Sequence, residues 1–200
     1  AYSVIAVTRS KALQRLSALC GNQEHIAQAP VFLAWCADLA RLDLVCRMRG
    51  ATQVTGYVEN FLVAATDAVI AAQNAALAAE SLGLGICYIG TLRNDPQAVI
   101  DLLDLPPLTF PVTGMTVGWP ENTNELKPRL PLKAILHWEQ YNDQYQEESL
   151  KEYDQVMIDS GVYQARQVTE VGNTGGKEEY GWIEHTARRV SRAVRTDLHQ

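Results

Sequence analysis

The sequence predicts an α+β domain in which short buried strands are interspersed with helices around one long helix. Three observations carry this. Residues 2–8 and 31–37 are short, apolar and rich in β-branched or aromatic side chains, the composition of buried strands. Residues 110–117 repeat that texture. Residues 57–81 instead form a continuous alanine-dense stretch at helical spacing, about 37 Å long at 1.5 Å per residue.

The elements follow in order. After the first strand, Ser10 is placed to cap a helix through Cys20, with Leu13, Leu16 and Leu19 on one face and Gly21 as the stop. Residues 22–30 read as a polar turn or short helix, with His25 satisfying local backbone. The second strand leads into residues 38–55, a connection with some helix whose arginines Arg41, Arg47 and Arg49 read as solvated. In the long helix, Phe61, Ala64, Ala65, Ala68, Ala72, Ala75, Ala76 and Ala79 make a face of mostly small side chains. Such a face lets a neighbour approach closely, so the helix is expected to be central and to pack across a subunit interface.

Beyond the break at 81–85, Asn94 is placed to cap a helix through Leu103, with Asp95 and Pro96 in its first turn and Pro106-Pro107 ending it. The third strand feeds Gly118-Trp119-Pro120. Residues 135–138 read as an edge strand, with His137 packing beside Trp138. Residues 145–160 form a charged amphipathic helix with Leu150, Tyr153, Val156 and Met157 inward, stopped at Gly161. A glycine-rich loop spans 167–177, and a last helix from Glu179 carries Trp182, His185 and the arginines 188, 189, 192 and 195.

Two hundred residues at 47% apolar content suit a single domain, residues 1–200, with a real core. A net charge of −6 argues against a general nucleic-acid surface or an anionic-membrane surface. No apolar run is read as reaching transmembrane length, because Asp67, Gln73 and Asn74 interrupt the alanine helix. Cys20, Cys36, Cys46 and Cys87 show no metal-ligand spacing and read as reduced core or near-core thiols of a cytoplasmic protein. No metal site is expected. No G-x-S-x-G follows a strand and no G-x-G-x-x-G opens a helix, so neither a hydrolytic triad nor a Rossmann site is indicated. With few side chains suited to acid–base work, a bound cofactor is expected to carry the chemistry.

One ordered set of motifs stands out. Ala78-Ala79-Glu80-Ser81-Leu82-Gly83-Leu84-Gly85 is followed by Tyr88-Ile89-Gly90-x-x-Arg93-Asn94, then Gly118-Trp119-Pro120, then Leu126-Lys127-Pro128-Arg129-Leu130-Pro131. In this order and spacing the chain resembles the nitroreductase superfamily, in its branch of FMN-dependent, NADPH-preferring nitroreductases and flavin reductases. The resemblance runs from Tyr2 to about Arg195 and is strongest between residues 56 and 131. It implies a central mixed sheet flanked by helices on both sides, the long helix in the middle, and a homodimer with FMN at the subunit interface. It also implies a ping-pong cycle in which NADPH supplies a hydride and a nitroaromatic, quinone or flavin collects electrons. An alternative remains open: a degenerate or truncated member that binds a ligand or partner without redox turnover.

The resemblance assigns FMN binding to Gln23, Tyr88, Ile89, Gly90, Thr91, Lys127 and Arg129. The backbone of 88–91 would donate to the flavin, with Gly90 allowing close approach. Lys127 and Arg129 would supply positive charge, the arginine as a planar fork suited to phosphate. The Gln23 amide, donor and acceptor in one group, would meet the flavin's pyrimidine edge. Arg166 and Lys177, on either side of the glycine-rich loop, would contact the NADPH 2′-phosphate. Two family features have no counterpart in residues 1–200: a His-Arg-Ser-x-Arg motif that would precede Ala1, and a tail that would follow Gln200. The chain is therefore expected to be a fragment, or a form with part of its phosphate site lost.

Overall fold

A computed structural model describes residues 1–122, 126–163 and 180–191. The chain divides into two compact units, Ala1–Thr123 and Asn124–Gln200.

The first unit is built on a four-stranded sheet in the order β1-β2-β4-β3. The strands are β1 (Tyr2–Val7), β2 (Val31–Asp38), β3 (Gly85–Ile89) and β4 (Thr109–Gly118). The α+β class stands, but every described pairing is antiparallel where a mixed sheet was expected. With both faces covered, a strand such as β2 reads as a near-continuous apolar run whichever way its neighbours run, so sequence alone could not supply the direction.

Because side chains alternate along a strand, β2 serves two cores at once. Phe32, Ala34 and Cys36 point into a core with Leu13 and Leu16 of α1 (Ser10–Leu19), Ile26 of α2 (Glu24–Gln28), and Val99, which lies further along the chain. Leu33 and Trp35 point to the opposite face, against Ala68, Ala72 and Ala76. Helix α3 (Ala40–Met48) follows β2, and its side chains include no fully buried one.

The alanines belong to α4 (Val58–Ser81), a 24-residue helix about 36 Å long. Ala64, Ala68, Ala72, Ala76 and Ala79 are buried at intervals of four and three. Its bulky residues point outward: Val58, Leu62, Val69, Ile70 and Leu77 are all exposed. Phe61, expected on the small face, is instead about half exposed, with its ring edge-on to Phe110. By length and composition α4 could cross a membrane, contrary to the sequence reading, because one aspartate and two amides are too few to interrupt it. In this unit its small face lies on the sheet.

Helix α4 ends as its residues dictate. Gly83 takes φ +78, its N–H bonds the Glu80 carbonyl, and the Leu84 N–H bonds that of Ala79. This is a Schellman stop, which needs a residue tolerant of positive φ. Two caps differ from expectation. Ser10 is the first helical residue after Arg9, and α5 (Pro96–Leu103) is capped by Asp95, whose Oδ1 accepts from Ala98 N at 2.9 Å. Pro96 occupies the first helical position, which forces the cap onto its immediate predecessor rather than Asn94. Left-handed Asp104 ends α5 before the two prolines.

In the second unit, residues 135–138 are not a strand. A 3-10 turn, Leu132–Ala134, runs into an irregular segment where Trp138 is 80% exposed and His137 packs on Tyr141. Four residues, three of them apolar, with no ladder partner do not make a strand. Helix α6 (Gln146–Asp159) buries Ser149 and Met157, while Val156 is exposed rather than inward as expected. Val156 lies at the margin of the Ser149-Tyr153-Met157 stripe, on the side away from Met157. The final helix, α7 (Trp182–Val190), is held by α6: Asp154 Oδ1 accepts from Ile183 N at 2.7 Å. Gly181 leaves room for that carboxylate, since a Cβ there would lie 2.3 Å from the same oxygen.

Candidate functional site

The helix stop at Gly83 delivers β3 to the sheet edge beside β4, in register from Gly85↔Gly118 to Ile89↔Gly114. At Ile89 the strand ends and Gly90–Arg93 form a 3-10 turn. Ile89 and Leu92 are buried in the core, so their side chains are unavailable to a ligand. What the turn can present is Gly90, Thr91 and backbone.

The three glycines around this segment have different causes. Gly83 is the helix stop, and a Cβ on Gly85 would come within 3.1 Å of Pro120 Cβ. Both therefore serve the fold. Gly90 is different. Its φ is not positive, and among the described residues a Cβ there would meet only Arg93 Nη2, at an ordinary 3.7 Å. Nothing among the described residues requires glycine at this position, which fits a position kept small for a ligand.

Gln23, distant in sequence, is brought directly to this turn. Its Nε2 donates to the Cys20 carbonyl and to Thr91 Oγ1, each at 2.6 Å. Both amide N–H groups are thus spent within the protein, and Oε1 is what remains for a ligand. The Thr91 hydroxyl also faces the Cys20 thiol, which burial pushes up to about 11. Tyr88 points to the α4 side, its hydroxyl donating to Gln73 Oε1 at 3.4 Å. Burial, and then the charge of Glu80, raises its phenol pKa, so it stays a neutral donor.

A feature that the sequence reading left without a role lies beside the turn. Arg93 donates from Nη1 to the Val112 carbonyl. Val112 is the residue skipped by the ladder, since Trp35 pairs with Thr113 and Cys36 with Pro111. Proline within a central strand marks such a bulge, and Pro111 was the available signal.

Lys127 and Arg129 lie in the second unit, both exposed. Arg129 Nη1 folds back onto the carbonyls of Lys127 and Pro128, at 3.0 and 3.2 Å. Tyr153, edge-on to Trp182 with centroids 5.5 Å apart, donates its hydroxyl to the Pro128 carbonyl at 3.5 Å. Among the described residues neither cation has a carboxylate partner, which leaves their charge available. Arg166 and Lys177 lie outside the described residues. His25 is exposed on α2 and stands apart from these contacts. Cys87, expected near the core, is exposed on β3.

An antiparallel α+β sheet with a glycine turn at its edge strand defines a class, and comparison identifies it. Residues 3–119 match the nitroreductase family and residues 127–200 the nitroreductase family C-terminal domain. The chain belongs to the nitroreductase family. It is 41% identical to a Cr(VI) reductase of Pseudomonas sp. (strain G-1) over 78% of its own length, and spans 65% of that protein. It is 36% identical over its full length to the FMN reductase (NADPH) of Bacillus subtilis, and spans 78% of that protein. Among solved structures, B. megaterium NfrA2 superposes with a TM-score of 0.87 at 35% identity, covering 98% of this chain and 76% of that one. The NADPH:FMN oxidoreductase of Vibrio harveyi, complexed with NAD+, gives 0.81 at 32% identity, over 98% and 76%.

Proposed function

We propose that the protein is an FMN-dependent oxidoreductase that takes hydride from NADPH and reduces nitroaromatics, quinones or flavins in a ping-pong order. The carrying observation is Gly90: a position where the fold admits a Cβ without strain, placed on a turn clamped by Gln23. Relatives named FMN reductase (NADPH) and oxygen-insensitive NADPH nitroreductase support the reading. FMN, when bound, would accept the hydride and pass electrons to the acceptor.

The chain's own residues have defined tasks in this reading. Gly90 and Thr91 would lay backbone close to the flavin, and Gln23, which holds that turn, would offer Oε1 to the pyrimidine edge. The side chain of Ile89 anchors the strand from the core side, and Tyr88 gives an apolar ring with a neutral hydroxyl. Lys127 and Arg129 provide positive charge for the phosphate or for the charge that develops on reduction. Arg166 and Lys177 read the NADPH 2′-phosphate. In this reading both units form one functional domain.

We further infer a homodimer, because Val58, Leu62, Val69, Ile70 and Leu77 leave an exposed apolar stripe along α4. Reduced cysteines and a dependence on NADPH fit a cytoplasmic setting.

The test is titration of purified protein with FMN. Quenched flavin fluorescence, a perturbed spectrum and bleaching on addition of NADPH are expected. No interaction at high FMN would support the alternative, a member that binds without turnover.

A further inference from the structure

The bulge in β4 has a consequence for the turn that carries Gly90. A bulge removes one residue from the ladder and leaves its backbone groups to find other partners. Here the skipped residue is Val112, which has no register partner on β2 or on β3, since β3 ends opposite Gly114. Pro111 beside it has no N–H to give and is fully buried. The Val112 carbonyl is therefore presented beyond the end of β3, where the chain turns into Gly90–Arg93. Arg93 reaches it with Nη1, while Nη2 lies 3.7 Å from where a Gly90 Cβ would stand. One guanidinium thus reaches from the bulge to the neighbourhood of the glycine. From the other side, Gln23 ties Thr91 to the end of α1 at 2.6 Å, and Leu92 between them is fully buried.

We propose that Arg93 is a positioning residue for the flavin site, fixing the Gly90–Thr91 backbone through the carbonyl that the β4 bulge releases. This rests on the flavin reading above. Arginine suits the task because its rigid planar fork holds a directed bond to the Val112 carbonyl while placing the rest of the guanidinium beside Gly90, where a flexible lysine would offer a single mobile point charge. The bulge and the arginine act as one device: without the bulge the carbonyl would be committed to the ladder, and without the arginine it would lack its cap.

The test compares wild type, Arg93→Met and Arg93→Lys by three measurements. Amide hydrogen exchange of residues 89–93 is followed in protein freed of FMN. FMN affinity and the rate of flavin reduction by NADPH are followed in protein loaded with it. Thermal melting reports whether the fold survives. The methionine variant is expected to exchange faster across 89–93 without FMN. It should also bind FMN and be reduced on the order of tenfold less well, since small misplacements at a reacting centre cost that much or more. The lysine variant should fall between the two. Unchanged exchange in Arg93→Met overturns the clamp. Faster exchange with wild-type FMN affinity and reduction rate overturns the positioning role and leaves a purely structural one. If Arg93→Met does not fold, Arg93→Lys decides alone, and wild-type exchange and FMN affinity there overturn the assignment. Failure of wild type itself to bind FMN overturns the flavin reading and this assignment with it, an outcome distinct from all the others.

Discussion

Substituting Gly90 with alanine separates a glycine that serves the fold from one that serves a ligand. The added methyl would stand 3.7 Å from Arg93 Nη2, in ordinary contact, on a backbone whose φ is not positive. Stability should therefore not fall. Replacing glycine where alanine can adopt the same conformation typically stabilises by about 0.4–1 kcal/mol, through the unfolded chain. The flavin should respond in the opposite direction. A methyl in space reserved for a closely packed ring acts as overpacking, about 1–3 kcal/mol, which is roughly a 5- to 150-fold rise in Kd. Urea denaturation of protein without FMN and fluorescence titration with FMN read the two effects separately. Gly90→Ala binding FMN as wild type does would place the flavin elsewhere. Destabilisation by about 2 kcal/mol or more would show that the fold itself needs this glycine.

Gly114→Ala makes the contrast: its Cβ would fall 2.2 Å from Phe32 Cζ in the core, and urea melts should show a loss of at least about 1–3 kcal/mol. Arg129→Ala should weaken FMN binding by about 1.5–3 kcal/mol and Lys127→Ala in the same direction, both with nearly unchanged melting, because both side chains are exposed and the bonds described for Arg129 reach only the adjacent carbonyls of Lys127 and Pro128. Burial pushes the Cys20 and Cys36 thiols up to about 11 and about 12, so at pH 8 a thiol reagent should label at most Cys46 and Cys87 until the protein is denatured. Burial works against ionisation of Asp38, but the Ser3 hydroxyl, the backbone N–H groups of Arg41 and Ala40, and the Arg41 charge outweigh it and hold its carboxyl below the usual range. A depressed folded-state value stabilises fully above the unfolded value of about 3.9 and is lost as pH falls through the folded value. Asp38→Asn should therefore be less stable at pH 7, by about 1–2 kcal/mol. It should also lose less stability than wild type below about pH 4, as urea midpoints from pH 7 to 3 would show.

Much of this was legible in the residues because the signals were local. Strands β1, β2 and β4 announce themselves by composition, and α4 by alanines at intervals of three and four; β3, five residues between glycines, was read as part of a motif and not as a strand. The cap on α5 was misplaced at Asn94, although Pro96, read as fixing the first helical position, points to Asp95. Other features depend on what meets in space. Gly85 and Gly90 look equivalent in sequence, and only Pro120 standing 3.1 Å from one of them tells them apart. Gln23 and Thr91 were each singled out, but their bond joins positions 68 residues apart and no local pattern encodes it. The segment 135–138 misled because apolar composition does not supply a pairing partner.

Helix α4 reverses the usual arrangement, with its smallest side chains inside and its largest outside. This gives its two faces separate evolutionary freedoms. Along the inner face any enlargement must push helix from sheet, so drift there is nearly closed. Along the outer face, Leu62, Ile70 or Leu77 could be exchanged without moving an atom of the sheet. A lineage could thus rewrite what its helix recognises on the outside while the scaffold carrying the glycine turn stays fixed.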